Sequence, residues 1–491
     1  MLHLLNVLHL TNYQAHYASV INASMDTLRR RSEKAQKPPK PSPATSSTTP
    51  NAQDCTLSSL FDMIDQANER LARTRIVPRP RLLVCAPSNA AVDEIISRVA
   101  VEGLVDGNCR PYTPDMIRIG NTSRMRQSVQ DAMSLDSQVD AFLRYSPTQL
   151  SSRIAQFQNH RIDVQQRSNA VLGRARVAQL QHAGSMALDL SGFATEITHL
   201  AEDRYRIGLE LHRLSIVRDY DRGTARDHLR KSFFDEAQIV FTTLSGSASR
   251  FLLDMHSTRG FDICVVDEAA QCIEASTLLP LSGLAIKAMI LVGDPRQLPA
   301  TVFMAGDKAR LHERSLFERL QQAGIGQSML TIQYRMHPKI RMFPSKFFYD
   351  NKLEDGENTT GQAWQKPYHS NFRFQPYVFY DLKSRELRAG RSLRNQDEAL
   401  FIVNLLSDLV ISYQDILPDL LASSAIITPY REQVQEITRQ LQARIRFDKR
   451  LPALQNVEVS TVDGKNLVTF VVSLYSYGLP RPSCLSRISR P

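Results

Sequence analysis

The sequence lacks any apolar run of the roughly 18 residues that a membrane-spanning helix needs. Its opening stretch, "MLHLLNVLHL", has no basic start, and two His and one Asn interrupt the apolar residues, which argues against a signal sequence. The leucines of this stretch fall on one side of a helix instead. They predict a packed helix at the start of the chain.

Cysteine is scarce as well. The six cysteines form no C-x-x-C pair, and most of them lie in apolar, strand-like runs. Reduced, buried thiols are therefore expected rather than disulfides or zinc ligands, and with them an intracellular protein. Cys264 and Cys272 flank a pair of acids, but their spacing fits no metal site, so we interpret them as small buried residues.

The composition that is present is that of a globular protein with a basic excess. At 491 residues the chain is too long for a single hydrophobic core, and its length predicts about two to four domains. Apolar residues make up 42% and charged residues 22%, which is ordinary for a folded protein. The net charge of +10 favours an anionic partner, nucleic acid above all, but it says nothing about the fold.

Two segments stand apart from the rest by composition. Residues 29–55 are rich in Pro, Ser and Thr and predict a disordered insertion, with a basic targeting signal in "RRRSEKAQKPPK" as the less favoured alternative. Residues 146–234 carry long charged helical patterns with a coiled-coil-like apolar seam. With a turn near Gly184, this region is either a stalk of two antiparallel helices or a plain helical subdomain.

Elsewhere, strand-like and helix-like segments alternate. The segment "RLLVCAPSNAAVDEIISRVA" predicts a strand, a turn and a helix. Further strands are predicted at "AQIVFTTL", "FDICVVDE", "KAMILVGD", "PYVFYDL", "SSAIITPY" and "VEVSTV". This alternation predicts α/β domains with parallel sheets.

Acidic and polar residues follow two of these strands. Asp267 and Glu268 come directly after the apolar run of "ICVVDEAAQC", and Gly293, Asp294 and Gln297 follow the strand of "MILVGDPRQLPATV". Ligands of open α/β sheets bind at the carboxyl ends of the strands. The acid pair is therefore either placed for chemistry or is an ordinary solvated strand end.

The residue types at these strand ends suit a nucleoside triphosphatase. Asp267 can hold Mg²⁺ through water, and Glu268 can deprotonate the attacking water. Gln297 can hydrogen-bond the γ-phosphate or that water. Arg335, in "TIQYRMHP", can neutralise the charge that builds up in the transition state.

Eight motifs in a fixed order carry a resemblance to a known family. They are "CAPSNAAVDE", "FTTLSGSAS", "VVDEAAQC", "VGDPRQLPATV", "QYRMHP", "FPSKFFYDNKL", "IITPYREQ" and "STVDG". Together they span roughly four-fifths of the chain, and they resemble superfamily 1 helicases of the senataxin-like branch, which is related to the nonsense-mediated-decay helicases. The shared order makes a chance match negligible.

The resemblance implies a fold, cofactors and partners. The expected fold is α/β, with two RecA-like parallel-sheet lobes of the P-loop NTPase type and with a helical stalk and a small barrel inserted in the first lobe. The expected cofactors are ATP and Mg²⁺, with ATP between the lobes, and the expected partner is a single strand of RNA or DNA moved 5′ to 3′. Proteins of RNA processing or transcription termination are further expected partners, and the expected location is the nucleus, or otherwise the cytoplasm.

The resemblance also assigns roles to individual residues. Tyr334 would stack on the adenine, Arg335 would reach the γ-phosphate, and Gly293 and Asp294 would lie near the nucleotide. The residues expected to contact the nucleic-acid strand, or to lie near it or the nucleotide cleft, are Ser88, Asn89, Thr242, Thr243, Thr428, Pro429, Tyr430 and Thr461. Hydroxyl and amide groups suit contacts with the sugar-phosphate backbone. Taken alone, however, a Ser-Asn pair after a strand is usually a helix cap, and His337 and Pro338 are better explained as packing and turn residues.

Composition and resemblance together predict how the chain is divided. The expected segments are a helix that normally follows the phosphate-binding loop (1–28), the disordered insertion (29–55), the first lobe in two parts (56–104 and 235–326), a barrel-like insertion (105–145), the stalk (146–234) and a truncated second lobe (327–491).

The sequence departs from the family pattern in its phosphate-binding motif. It contains no G-x-x-x-x-G-K-[ST], and its Gly464-Lys465 pair lacks the preceding Gly. The long helix that follows this loop in the family begins here at Met1, and the family's last motifs are not found after "STVDG". Because the loop supplies charge-assisted hydrogen bonds of about 1.5–3 kcal/mol each, weak or absent ATP hydrolysis is expected.

Three functions remain open from the sequence. An ATP-dependent helicase, present as an incomplete copy, is the leading hypothesis. The alternative is an ATP-independent nucleic-acid-binding or scaffolding protein derived from a helicase. A structural coiled-coil protein ranks last, because it leaves the acids at the strand ends unexplained.

Overall fold

The computed structural model describes residues 4–9, 11, 18, 81–105, 111–121, 127–181, 191–255, 260–302, 311–360, 366–390, 392–413, 424–461 and 470–473. The predicted insertion (29–55), the turn near Gly184 and the Gly464-Lys465 pair lie outside these residues. The chain divides into two compact units, Met1–Gln327 and Ser328–Pro491.

The first unit is built on a five-stranded parallel sheet. Its strands are β1 (Leu82–Ala86), β4 (Met116–Arg118), β5 (Ile239–Thr243), β6 (Phe261–Val266) and β7 (Ile286–Leu291). They lie in the order β4-β5-β1-β6-β7, and every neighbouring pair is parallel. All residues of β1 are buried, as an unbroken apolar run in the centre of a covered parallel sheet should be.

Both faces of this sheet are covered by apolar side chains. Leu82 and Val84 face helix α1 (Asn89–Glu102) and the N-terminal helix, which includes residues 4–9 and buries Leu5. Leu83 and Cys85 point to the opposite face and pack there with a second apolar cluster. Since successive strand residues alternate between faces, one continuous apolar strand supplies both cores.

Helices of 7 to 35 residues lie between β4 and β5. They are α2 (Gln127–Met133), α3 (Leu135–Leu143), α4 (Pro147–Gln181), α5 (Ser191–Asp219) and α6 (Arg222–Glu236).

Helices α4 and α5 run antiparallel. Arg174 donates to Glu196 at 2.8 Å, whereas Arg204 donates to Gln165 at 3.2 Å, so residues later in α4 meet residues earlier in α5. The predicted apolar seam of α5 packs against α4. The helices therefore pair antiparallel, while the choice between a stalk and a helical subdomain stays a prediction.

The region of the predicted barrel is described only in part. It contains the short antiparallel pair of β2 (Leu104–Val105) and β3 (Pro111–Tyr112), followed by β4 and α2. Residues 106–110 and 122–126 lie outside the described part of the chain. The small barrel therefore stays a prediction.

The remaining elements of the first unit are short helices around the sheet. They are α7 (Leu244–Ser247), α8 (Arg250–Met255), α9 (Glu274–Gly283) and α10 (Leu316–Gln322).

The second unit contains a three-stranded parallel sheet. Its strands lie in the order β13 (Glu458–Thr461), β12 (Ser424–Thr428), β14 (Phe470–Ser473). Helices α13 (Gln396–Ser412) and α14 (Arg431–Phe447) bury their apolar residues in one core with β12. Parallel sheets covered by helices in both units confirm the predicted α/β class.

Smaller elements complete the second unit. The strands β8 (Ile332–Gln333) and β9 (Glu354–Asp355) pair in parallel, and β10 (Leu387–Ala389) and β11 (Ser392–Arg394) form an antiparallel pair. The helices are α11 (Pro338–Phe348) and α12 (Glu357–Thr360).

The strand predicted at "PYVFYDL" is wrong. Residues 376–382 form no strand, and Tyr377 and Phe379 are 61% and 71% exposed. Their aromatic and β-branched composition suits a strand, but a strand also needs a neighbouring backbone to pair with. Within the described residues of this unit, none of the strand pairs includes this segment.

Candidate functional site

The predicted acids lie at the carboxyl edge of the first unit's sheet, between the ends of β1 and β7. The backbone N–H of Asp267 donates to the carbonyl oxygen of Cys85 at 2.8 Å. On the other side, the N–H of Ala269 donates to the carbonyl oxygen of Val292 at 2.8 Å. The parallel register of the strands therefore brings "VVDEAAQC" and "VGDPRQ" side by side.

Asp267 is partly withdrawn from solvent. Burial raises the pKa of its carboxyl above the ordinary value, while the Glu268 backbone N–H and the charge of Arg98 oppose that rise. Burial disfavours the ionised form, and a bound cation would offset that cost. The side chain therefore suits a role in holding a cation.

The donor set fits Mg²⁺ in the manner that a nucleotide-dependent enzyme requires. Among the described residues, no group of three or more His, Cys, Asp or Glu side chains is placed to hold a metal ion. Mg²⁺ bound to nucleotides needs no such group, because it takes one or two carboxylates together with phosphate oxygens and water. Asp267 alone can fill that role.

Glu268 adopts a strained backbone conformation. Its φ of 52° and ψ of 35° place it in the left-handed region, which non-glycine residues rarely occupy. Gln271 Nε2 donates to its carboxylate at 2.9 Å, and the Cys272 thiol donates to its carbonyl oxygen at 3.3 Å. Such strain persists where the surroundings fix it and is concentrated at functional sites.

Gln271 was missed as a functional residue by the sequence analysis. It lies inside the motif "VVDEAAQC", at the end of the short 3₁₀ turn Ala269–Gln271 that follows the acids. That position was the available signal, because a turn of this length brings its fourth residue back to its first. The contact itself orients the Glu268 carboxylate.

The thiols around the acids behave as predicted. Cys85, Cys264 and Cys272 are buried and free. Burial, together with the charges of Glu268 and Asp267, raises the pKa of Cys272 to about 12. A thiol in that state is not a nucleophile.

Gly293 allows β7 to end close to the turn that holds the acids. A Cβ at this position would lie 2.8 Å from the backbone nitrogen of Ala270 and 3.0 Å from that of Ala269. Next to it, the two carboxylate oxygens of Asp294 accept from the N–H of Arg296 at 2.9 Å and from Gln297 Nε2 at 3.0 Å. Because of this hydrogen bond, Asp294 and Gln297 form one polar group at the end of β7. The side chain of Gln297 is exposed to solvent.

The residues of the first unit that are predicted to contact nucleic acid differ in exposure. Ser88 and Asn89 are exposed at the start of α1, where the Ser88 hydroxyl caps the helix by accepting from Ala91 N. Thr243 is half-buried and caps α7. Thr242 is fully buried, and its hydroxyl donates to the carbonyl oxygen of Ile119 at 3.1 Å. The capping role weighed for the Ser-Asn pair belongs to Ser88.

The predicted nucleotide contacts of the second unit lie on a braced loop. Tyr334 is 61% exposed, and its ring lies over Gly356, where a Cβ would come within 2.5 Å of Cε1. The Gln333 side chain accepts from the N–H groups of Arg335 and Met336 and donates to Asp355 at 2.7 Å. The Arg335 guanidinium is exposed and makes no hydrogen bond or ion pair with the other residues that the structure describes.

The remaining residues of "QYRMHP" have local structural roles. The imidazole of His337 accepts from the N–H of Lys339 and caps α11, and Pro338 occupies the first turn of that helix. Burial, followed by the charge of Lys339, lowers the pKa of His337. Both residues therefore fit the packing and turn roles preferred from the sequence.

The other predicted contacts lie together at the carboxyl edge of the second unit's sheet. Thr428 pairs in register with Thr461 across β12 and β13. Thr428 is buried, whereas Pro429 is exposed, and Tyr430 and Thr461 are half-buried. Tyr430 directly precedes α14.

Comparison with known proteins gives the family. An AAA-domain family model matches residues 34–305, which is more than half of the chain, and a second AAA-domain model matches residues 312–466. The chain is 33% identical over 395 residues to helicase sen1 of Schizosaccharomyces pombe and 35% identical over 392 residues to the probable helicase MAGATAMA 3 of Arabidopsis thaliana. It is 28% identical over 414 residues to the probable helicase senataxin of Homo sapiens.

The chain belongs to the AAA-domain family, and the relatives that it matches include the Sen1/senataxin-like helicases. The three matches each include 79% of this chain, but they include only 22%, 38% and 14% of the respective relatives. All three of these relatives are named as helicases or probable helicases. None of the helices in the described ranges has the length and apolar character to cross a bilayer.

Proposed function

We propose that this chain is the motor region of an ATP-dependent nucleic-acid helicase. One observation carries the proposal: Asp267 and Glu268 follow β6 between the ends of β1 and β7, with Glu268 held in a strained conformation by Gln271 and Cys272. A solvated strand end needs neither that strain nor that bracing.

In this proposal each side chain has a stated task. Asp267 would hold Mg²⁺, which when bound would supply positive charge to the phosphate. The Glu268 carboxylate accepts the proton of the attacking water, and Gln271 fixes its direction. Gln297 orients the water or the γ-phosphate, Tyr334 stacks on the adenine, and Arg335 offsets charge on the phosphate.

The nucleic-acid partner is a single strand of RNA or DNA, along which the helicase moves in the 5′ to 3′ direction. A sugar-phosphate backbone could be contacted by three exposed residues, Ser88, Asn89 and Pro429, and by the half-buried Thr243. We further propose a nuclear location and association with RNA-processing or transcription-termination proteins.

A second function is favoured by a sequence observation. No G-x-x-x-x-G-K-[ST] motif occurs in the 491 residues, and such a loop normally cradles the triphosphate. The alternative is therefore an ATP-independent nucleic-acid-binding or scaffolding protein. In that case the polar residues at the ends of the β-strands bind nucleic acid, and ATP is not hydrolysed.

ATP hydrolysis and oligonucleotide binding separate the two functions. The helicase proposal expects ATP hydrolysis that single-stranded nucleic acid stimulates and that Glu268→Gln abolishes. The control, Glu196→Gln, alters an exposed stalk carboxylate and should leave hydrolysis unchanged. Binding without hydrolysis supports the scaffold, and the absence of both binding and hydrolysis contradicts both functions.

A further inference from the structure

The last residue of β4 is a buried arginine, Arg118, which lies outside the sequence motifs. Arg118 is only 1% exposed. Its Nε donates to Asp93 Oδ1 at 3.2 Å, and its Nη1 donates to the carbonyl oxygen of Ile119. A buried charge is costly unless it is paired and hydrogen-bonded, and these contacts supply both conditions.

The backbone after Arg118 is shaped around the guanidinium. Gly120 has a φ of +122°, and a Cβ there would lie 2.9 Å from Arg118 Nη1. The next residue, Asn121, turns its carbonyl oxygen towards Nη2 at 3.3 Å. A left-handed glycine at this point lets the chain wrap the cation.

The same guanidinium contacts Asn89, one of the residues predicted to bind nucleic acid. Arg118 Nη2 donates to Asn89 Oδ1 at 2.7 Å. An arginine offers only donors, so the amide must present its oxygen to Arg118 and leave its NH₂ group for another acceptor. Because Asn89 is exposed, that NH₂ group is available to a phosphate oxygen.

A second predicted contact is tied to the same turn. The carbonyl oxygen of Ile119 accepts from the Thr242 hydroxyl at 3.1 Å and also from Arg118. Ile119 N donates to the carbonyl oxygen of Phe241 at 2.9 Å. The turn after β4 therefore links the end of β5 to the start of α1.

We propose that Arg118 is a positioning residue that orients the Asn89 amide as a hydrogen-bond donor to the phosphate backbone of a single-stranded nucleic acid. This inference rests on the proposed nucleic-acid binding, but it does not require ATP hydrolysis. It deepens that function by naming the chemical group contacted, a phosphate oxygen. It also explains why a buried arginine lies beside exposed binding residues.

The first experiment measures binding of a fluorescein-labelled oligouridylate to the full chain by anisotropy, without nucleotide. Arg118→Lys keeps a positive charge near Asp93 but loses the planar fork that reaches Asn89. Because the Asn89 amide is then no longer oriented towards the phosphate, we expect binding to weaken by up to about five-fold. Unchanged affinity in this variant would overturn the proposal.

Arg81→Lys is the matched control for this substitution. Arg81 is 2% exposed in the same unit, and its guanidinium donates to the carbonyl oxygens of Phe234 and Ala237. It precedes β1, at the end of the strand opposite to Asn89. At a temperature where circular dichroism shows a folded chain, we expect this variant to bind as the wild type does. A loss equal to that of Arg118→Lys would assign both effects to general destabilisation and contradict the proposal.

Asn89 variants keep the proposal testable if Arg118→Lys does not fold. Asn89→Ala removes the donor, whereas Asn89→Asp keeps an oxygen for Arg118 and presents a second oxygen to the phosphate. We expect Asn89→Ala to weaken binding about five-fold and Asn89→Asp to weaken it further, because like charges repel. Wild-type binding by Asn89→Asp would refute the amide orientation.

A double variant separates positioning from a merely structural role. If Arg118 acts through Asn89, adding Arg118→Lys to Asn89→Ala should change the affinity by less than about two-fold. A full additional loss in that background would show that Arg118 does not act through Asn89. Failure of the wild-type chain to bind would overturn the proposed function and this inference together, whereas wild-type binding with unaffected variants overturns this inference alone.

Discussion

The two units position their predicted nucleotide contacts by different means. In the first unit, Asp267 and Glu268 are placed by the backbone ladder of a five-stranded sheet. In the second unit, Tyr334 and Arg335 follow a two-residue strand, and side chains hold their loop in place. Sites of the first kind should be sensitive to backbone crowding, and sites of the second kind should be sensitive to the loss of single polar groups.

The largest expected effect comes from crowding the strand end in the first unit. Gly293→Ala places a Cβ 2.8 Å from the Ala270 backbone nitrogen, so the turn that holds Glu268 must shift. A displacement of about 1 Å at a reacting group can lower turnover about a hundred-fold. Steady-state ATP hydrolysis tests this, with Gly326→Ala as the control because its Cβ would meet no atom within 4 Å. Equal rates in both variants would contradict the sensitivity proposed for the first unit.

The next effect tests the side-chain bracing in the second unit. Gln333→Ala removes the bonds to Asp355 and to the N–H groups of Arg335 and Met336. We expect the KM for ATP to rise about ten-fold with a smaller change in kcat, because the loop that carries Tyr334 loosens. Gln435→Ala, an exposed glutamine on α14, is the control. If Gln333→Ala lowers kcat alone, the loop does not act through nucleotide binding.

A pH effect on stability should arise in the first unit. Burial lowers the pKa of His9 to about 4, while Tyr112 OH lies 2.7 Å from its Nδ1. The folded state keeps this imidazole neutral, whereas the unfolded chain binds a proton below a pH of about 6.5. Stability is therefore lost as the pH falls from about 6.5 to about 4, by up to about 3 kcal/mol.

Urea unfolding at several pH values measures this loss. In His9→Gln the decline over that interval should flatten, because glutamine does not titrate. An identical pH dependence in the wild type and the variant would exclude His9 as its source.

The smallest expected effect is a change in melting temperature on substitution of Asp267, a residue at which function and stability make opposite demands. Because burial raises the pKa of the folded carboxyl above its unfolded value, its ionisation costs stability once the pH exceeds the raised pKa. Asp267→Asn should therefore melt slightly higher than the wild type near pH 8, and that gain should vanish at low pH. ATP hydrolysis should be lost in the same variant. A lower melting temperature at pH 8 would contradict the burial argument.

Much of the fold follows from local pattern. The buried strand that precedes Asp267 was predictable because an unbroken β-branched run fits the centre of a parallel sheet. The failure at "PYVFYDL" shows the limit, because strand composition does not supply a pairing partner. Asn89 could be placed after β1, but its bond to Arg118 joins residues 29 positions apart.

The sequence by itself determined which residue types stand at the strand ends and in what order, because strand and helix periods are local properties of the chain. Tertiary structure alone decided which side chains meet: Gln271 with Glu268 through a strained turn, and Arg118 with Asn89 across neighbouring elements. It also decided that Thr242 is buried while Asn89 is exposed. Those outcomes depend on packing and on satisfying buried polar groups, which a linear pattern does not specify.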